Sequence, residues 1–219
     1  MCGRFTQPGD IDIIEGFRAR YGVEVGDDPG NARPAVRYEQ TATPFRDVNV
    51  VFTDREGVTR IGAMHWQLIH HWNEEFKSKY TAFNTRVESL AKRYKEPLLR
   101  RRRCILPVRS FFETRKLGGE AVEPKESYEF ALKSGGLMAL GGIYAVWVNP
   151  AGENDRRYSC SIITLEPTGI IAEVHDRMPF VMSEDTVKTW LDPAMTDFGA
   201  LIDLIQPIGS EKLERIREP

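Results

Sequence analysis

Cysteine and histidine are scarce in this chain, and neither is spaced for disulfide or metal chemistry. Three cysteines among 219 residues are an odd number with no Cys-x-x-Cys pair. That argues against a disulfide framework or a zinc knuckle and for a reducing, cytoplasmic compartment. Of the four histidines, His70 and His71 are neighbours without HExxH or comparable ligand spacing. Adjacent residues on a strand face opposite ways, so a solvated loop pair is the simpler reading and no metal is expected. No apolar run is long enough to span a bilayer, and Asp10, Asp12 and Glu15 stand where a secretion signal carries basic and apolar residues. Charge of one sign is not in excess either. With a formal net charge of -2, any polyanion site must come from local clustering. P-loop, GxSxG, dinucleotide and zincin signatures are missing, as are internal repeats, so the common large enzyme classes and a small-molecule cofactor find no support.

What is present is an ordinary core-forming composition, 41% hydrophobic and 28% charged, read as one domain over residues 1–219 with a polar tail from about residue 209. From Asp10, a candidate N-cap, Ile13, Ile14, Phe17 and Tyr21 mark an amphipathic helix to about Tyr21. Residues 22–34 read as a loop, and residues 48–52 and 58–66 as a hairpin. In residues 82–89 the alternating Asn84, Arg86 and Glu88 give one polar face if extended, which suits a site lining and an ordinary edge strand equally. Pro97 is expected to end a short helix begun near Ser89. Residues 104–108 form a buried strand with Cys104 as a small hydrophobe, and residues 118–125 a loop. Residues 128–132, 137–148 and 158–165 alternate or run apolar, with Cys160 in the core. Ser183 caps a helix carrying Val187, Trp190 and Leu191, and Phe198, Leu201, Ile202 and Ile205 mark another. The fold class is therefore α+β, β-rich with a few peripheral helices.

Chemistry concentrates at the N-terminus. If Met1 is clipped, which the small Cys2 permits, residue 2 becomes a 1,2-aminothiol carrying an amine with a pKa of about 8 and a thiol of about 8.5. Gly3 allows close approach, Arg4 sets a cation beside the thiol, and Phe5 can tie the terminus into the core. Glu113, behind two aromatics, suits either proton transfer or a strand-end ion pair, and His175 stands alone among charged neighbours. Lys92 to Arg103, including Arg100 and Arg101, is the one dense basic stretch and the best local candidate for phosphates.

Together, Cys2-Gly3-Arg4-Phe5, Arg37-Tyr38, Phe83-Asn84-Thr85-Arg86-Val87-Glu88, Phe111-Phe112-Glu113 and Val174-His175-Asp176-Arg177-Met178-Pro179 resemble the SRAP family of SOS-response-associated peptidases and abasic-site processing proteins. The resemblance runs from residue 2 to about 182. Glu39, Thr43 and Thr114 depart from the family pattern. The resemblance implies a single β-rich SRAP fold, acting as a monomer, that binds single-stranded DNA and links covalently to an abasic site through Cys2. Its functional positions are Cys2, Asn84, Arg86, Glu113 and His175. Arg4, Arg37, Arg100, Arg101 and Arg177 are further candidate DNA contacts read from their charge. An abasic sugar presents an aldehyde that the amine attacks to give an imine, which the neighbouring thiol closes to a thiazolidine. Glu113 and His175 suit the proton transfers, Asn84 the orientation of the amine, and Arg86 a flanking phosphate. Trp66, Trp72, Phe111 and Phe112 are divided between stacking on bases and packing the core. Two other readings stay open: a peptidase with Cys2 as nucleophile, and a non-catalytic module that binds single-stranded nucleic acid.

Overall fold

A computed structural model of the chain describes residues 2–27, 33–117, 120–121, 126–152 and 155–218. Met1 and parts of the two expected loops, residues 28–32 and 118, 119 and 122–125, lie outside the described residues. In chain order the elements begin with β1 (Arg4–Gln7), α1 (Asp10–Gly16) continued by a π-helical turn (Phe17–Tyr21), β2 (Gly26–Asp27), β3 (Gln40–Ala42), β4 (Asp47–Thr53) and β5 (Thr59–Trp66). Then come β6 (Asn84–Arg86), α2 (Glu96–Arg101), β7 (Arg103–Val108), β8 (Ser110–Thr114), β9 (Lys116–Leu117), β10 (Glu120–Ala121) and β11 (Ser127–Leu132). The chain continues through β12 (Met138–Val148), β13 (Arg156–Leu165), α3 (Gly169–Ala172), β14 (Met178–Pro179), α4 (Glu184–Leu191), α5 (Phe198–Asp203) and β15 (Leu213–Arg217).

The alternating and apolar strands pair as one strongly curved sheet, in which β13, β12, β7, β4 and β5 are neighbours in that order. β5 returns to β13 in parallel through Ser159 opposite His65 and Cys160 opposite Trp66, which closes a five-stranded barrel. The expected hairpin is β4 and β5, antiparallel with Val51 opposite Ile61. Cys104 and Cys160 are fully buried small hydrophobes, and burial pushes both thiols up. A second sheet, in the order β15, β11, β8, β1 and β3, packs beside the barrel. Buried Gln7 stitches the two together: its Nε2 donates to the carbonyls of Asn49 and Pro107 at 2.8 and 2.9 Å, and its Oε1 accepts from the Asn49 N–H at 2.7 Å. Every polar atom of that amide is thus satisfied inside the core, which makes the junction specific. Phe5, also fully buried, lies 4.6 Å from the Trp66 ring and anchors the N-terminal strand.

Several local expectations need correction. Gly9, not Asp10, is the N-cap of α1; Asp10 is its first residue and its Oδ1 accepts from the Ile11 N–H. Pro97 opens α2 rather than ending a helix, because its missing N–H falls in the first turn where none is needed. The residues after about 209 are no tail. β15 pairs with β11 along five residue pairs, held by backbone bonds with only Leu213 buried, so an edge strand with charged outward side chains reads as a polar tail. As expected, Ser183 caps α4, its hydroxyl accepting from the Thr186 N–H at 3.3 Å.

Candidate active site

β1 is held on β8 with Arg4 opposite Phe112 and Phe5 opposite Phe111, a register whose continuation sets Gly3 opposite Glu113. That pairing carries the N-terminus to the edge of a cleft of about 260 Å³ lined by Gly3, Arg4, Phe112, Glu113, Ser127 and His175. Cys2 is fully buried at this end, and the Asn84 Nδ2 donates to its carbonyl at 2.8 Å. β6 sets Asn84 there by lying parallel to β13, with buried Thr85 hydrogen-bonded to Ser161 at 2.9 Å. Of the 82–89 segment only Asn84–Arg86 is extended, Val87–Ser89 forming a 3₁₀ turn, so the expected single polar face is broken: Asn84 bonds at Cys2 while Glu88 pairs with Arg177. Asn84 Oδ1, buried, has no hydrogen-bond partner among the described residues and remains an open acceptor beside Cys2.

Glu113 and His175 are both buried, with Oε2 and Nε2 3.7 Å apart. The turn after α3 fixes the histidine, whose N–H donates to the Ile171 carbonyl. Its Nδ1 lies 3.1 Å from the Arg177 backbone nitrogen, and its Nε2 faces Glu113. Asp176 Oδ1 lies 2.7 Å from the same Nδ1. Burial pushes the Cys2 thiol well above its usual range, and the negative charge of Glu113 adds to the shift. In this environment the resting thiol is neutral.

Cys2, Asn84, Glu113, His175 and Arg4 therefore converge. Arg4 packs its guanidinium 4.1 Å above the Phe112 ring, donates to the Ser127 hydroxyl at 3.1 Å and pairs with Glu218. Arg86, two residues beyond Asn84, is exposed and forms no salt bridge among the described residues. Arg177 is buried in a bidentate pair with Glu88 at 2.8 and 2.6 Å, which raises its pKa and lowers that of Glu88. Arg37 is exposed and does not line the cleft. Arg100 and Arg101 line a different cleft. Within the same basic stretch Arg103 is buried and spends its donors on the carbonyls of Leu99, Arg100, Trp190 and Asp192, a structural role. Among the aromatics, Trp66 and Phe111 belong to the core, Phe112 lies under Arg4 and Trp72 is exposed. The sequence carried no signal for Ser127 or Glu218. Asp176 was visible only as a neighbour of His175. No group of three or more metal-ligating side chains occurs among the described residues.

Comparison with known proteins agrees with this architecture. Residues 1–217 match the family model described as SOS response associated peptidase (SRAP). The chain is 32% identical to the abasic site processing protein YoqW of Bacillus subtilis over 217 residues, covering 98% of this chain and 90% of that protein. It is 26% identical to the abasic site processing protein HMCES of Gallus gallus over 164 residues, 66% of this chain and 48% of that one. A crystal structure of a protein from Bacteroides thetaiotaomicron superposes with a TM-score of 0.76 at 19% identity, over 99% of this chain and 91% of that one, a likeness of fold.

Proposed function

The chain belongs to the SOS response associated peptidase (SRAP) family, and from the geometry around Cys2 we propose that it processes abasic sites in single-stranded DNA by covalent capture. Removal of Met1 frees the Cys2 α-amine. The amine adds to the open-chain aldehyde of the abasic sugar, and loss of one water gives an imine. The Cys2 sulfur then bonds to the imine carbon, its proton passes through Glu113, the imine nitrogen gains a proton, and a five-membered thiazolidine closes. The abasic site is then shielded as a protein cross-link.

The observation that carries this reading is the Asn84 clamp on the Cys2 carbonyl beside the buried Glu113–His175 pair. It holds the backbone next to the amine and leaves Asn84 Oδ1 to accept from it. His175 Nε2 is suited to protonate the departing hydroxyl of the carbinolamine or the sugar ring oxygen. Arg4 and Arg86 supply cations for flanking phosphates. A neutral thiol supports attack by the amine first. A cysteine peptidase draws instead on a preformed thiolate, which burial and the Glu113 charge disfavour here.

Intact-mass analysis after mixing with an abasic oligonucleotide tests the proposal. The expected product is the chain without Met1, plus the oligonucleotide, minus one water. Cys2→Ser keeps the amine and is expected to give only an imine that borohydride traps. Full cross-linking by a chain that retains Met1, or an equally stable adduct from Cys2→Ser without reductant, overturns the aminothiol mechanism.

A further inference from the structure

Most surface arginines in this protein are neutralised by a carboxylate: Arg18 by Glu24, Arg60 by Asp54, and Arg109 by Asp12 and Glu39. Four that are not so neutralised among the described residues, Arg55, Arg101, Arg102 and Arg156, line one cleft of about 940 Å³ where β4, β12 and β13 meet α2. Of the two carboxylates in that cleft, Asp54 is held by Arg60 at 2.8 Å, and Glu56 is exposed. Uncompensated guanidinium groups gathered in a concavity repel one another and raise the local concentration of anions. The cleft is also aromatic. Tyr144 and Tyr158 lie nearly parallel with centroids 6.2 Å apart, Phe52 packs against both, and Arg102 lies 5.8 Å from the Tyr144 ring centre.

A path of contacts leads toward this cleft from Arg86, which stands two residues beyond Asn84, the partner of Cys2. It begins at exposed Arg86, whose carbonyl accepts from the Ser89 hydroxyl at 2.7 Å, and Ser89 in turn accepts from the Lys95 ammonium at 2.9 Å. Lys95 lies 5.6 Å from the Tyr94 ring, Tyr94 meets His70 edge-on, and His70 stacks on Trp72 at 4.1 Å with 6° between the planes. Trp72 touches His71, and His71 lines the arginine cleft. Two cations, a run of rings in which Tyr94 and Trp72 are exposed, and then the arginines match a ligand that carries both phosphates and flat bases. A free phosphate would use only one end of such a track.

We propose that the arginine cleft is a second binding site for single-stranded nucleic acid, taking the part of the strand that leads away from the nucleotide at Cys2. The proposal rests on the reading of the Cys2 site as one for DNA. The strand crosses Arg86, stacks along Tyr94 and Trp72, and places phosphates against Arg55, Arg102 and Arg156 and a base against the Tyr144–Tyr158 pair.

Equilibrium binding of oligonucleotides without an abasic site, followed by fluorescence anisotropy over a range of salt, keeps the test independent of covalent capture. A strand of about 16 nucleotides, the upper length one small barrel occupies, is compared with a trinucleotide, for wild type and for the triple variant Arg55→Ala, Arg102→Ala, Arg156→Ala. With ~0.7 counterions released per single-strand phosphate, the variant is expected to lose about two units of salt slope and about a hundredfold in affinity near ~50 mM salt for the long strand only. Thermal unfolding of the variant serves as the check on folding. The single variant Arg156→Glu, at an exposed position, carries the test if the triple variant is unstable. An unchanged slope for the long strand, or an equal loss for the trinucleotide, overturns the second site. Adduct formation by wild type with abasic DNA is measured separately, so a failure of the Cys2 chemistry shows as no adduct whatever the arginine result.

Discussion

Replacing Glu113 by Gln sets two effects of one carboxylate against each other. The side chain keeps its shape and stays buried, but it loses its negative charge and its ability to take a proton. Burial is the larger cause of the raised Cys2 thiol and the Glu113 charge the next, so removing that charge lowers the thiol pKa and increases the thiolate fraction at a given pH. If thiolate supply limited the reaction, Glu113→Gln would be faster. If Glu113 accepts the thiol proton as the sulfur adds to the imine, the variant loses general-base help typically worth about two to four orders of magnitude, or about 3 to 5 kcal/mol of barrier. The geometry favours loss, because Glu113 lies in the cleft wall opposite Gly3, with Nε2 of His175 3.7 Å away to relay the proton. Two measurements separate the cases. Alkylation of Cys2 against pH is expected to shift to lower pH in the variant, while single-turnover cross-linking at saturating protein slows at least about a hundredfold. A variant that alkylates more readily and cross-links as fast as wild type refutes the proton-acceptor role.

Three further outcomes follow from the same structure. Glu218→Gln releases Arg4 from its carboxylate partner, and because a partly exposed pair is worth up to about 1 kcal/mol, binding of single-stranded DNA is expected to tighten by up to about fivefold; unchanged affinity in a titration shows that Glu218 and phosphate do not compete. Burial, with the charges of Lys95 and then His71, brings the His70 pKa down to about 4, so the unfolded ring binds its proton at higher pH than the folded one. The stability this ring contributes is full above about 6.5 and declines as pH falls toward 4; the melting-temperature gap between wild type and His70→Gln is expected to narrow across that window, and a constant gap refutes it. Gly141→Ala sets a Cβ 2.2 Å from the Phe180 ring. Overpacking of this kind costs about 1 to 3 kcal/mol and is expected to lower the melting temperature by several degrees, at about 2 to 4 °C per kcal/mol; an unchanged value shows that the segment following His175 can shift freely.

Sequence alone determined what depends on short-range pattern and on the chemistry of individual residues. The strand-forming residues 48–52 and 58–66 on either side of a polar turn specified the β4–β5 hairpin, and the apolar runs marked β7, β12 and β13. Ser183 ahead of Glu184 and Asp185 announced α4. The groups proposed to react were legible because a cysteine next to the initiator, a carboxylate and an imidazole are recognisable wherever they fall. Tertiary structure alone decided which of them meet. Gly3 reaches Glu113 through the register of β1 on β8, and Asn84 reaches Cys2 through a parallel pairing of β6 with β13 spanning far more sequence than any local pattern covers. It also sorted the arginines: Arg103 went to buried carbonyls, Arg177 to Glu88, and Arg102 has no carboxylate partner among the described residues. A charged side chain's availability is set by partners remote in sequence, and β15 shows the same limit from the backbone side. Its edge hydrogen bonds stabilise a strand whatever its side chains are, so hydropathy could not reveal it.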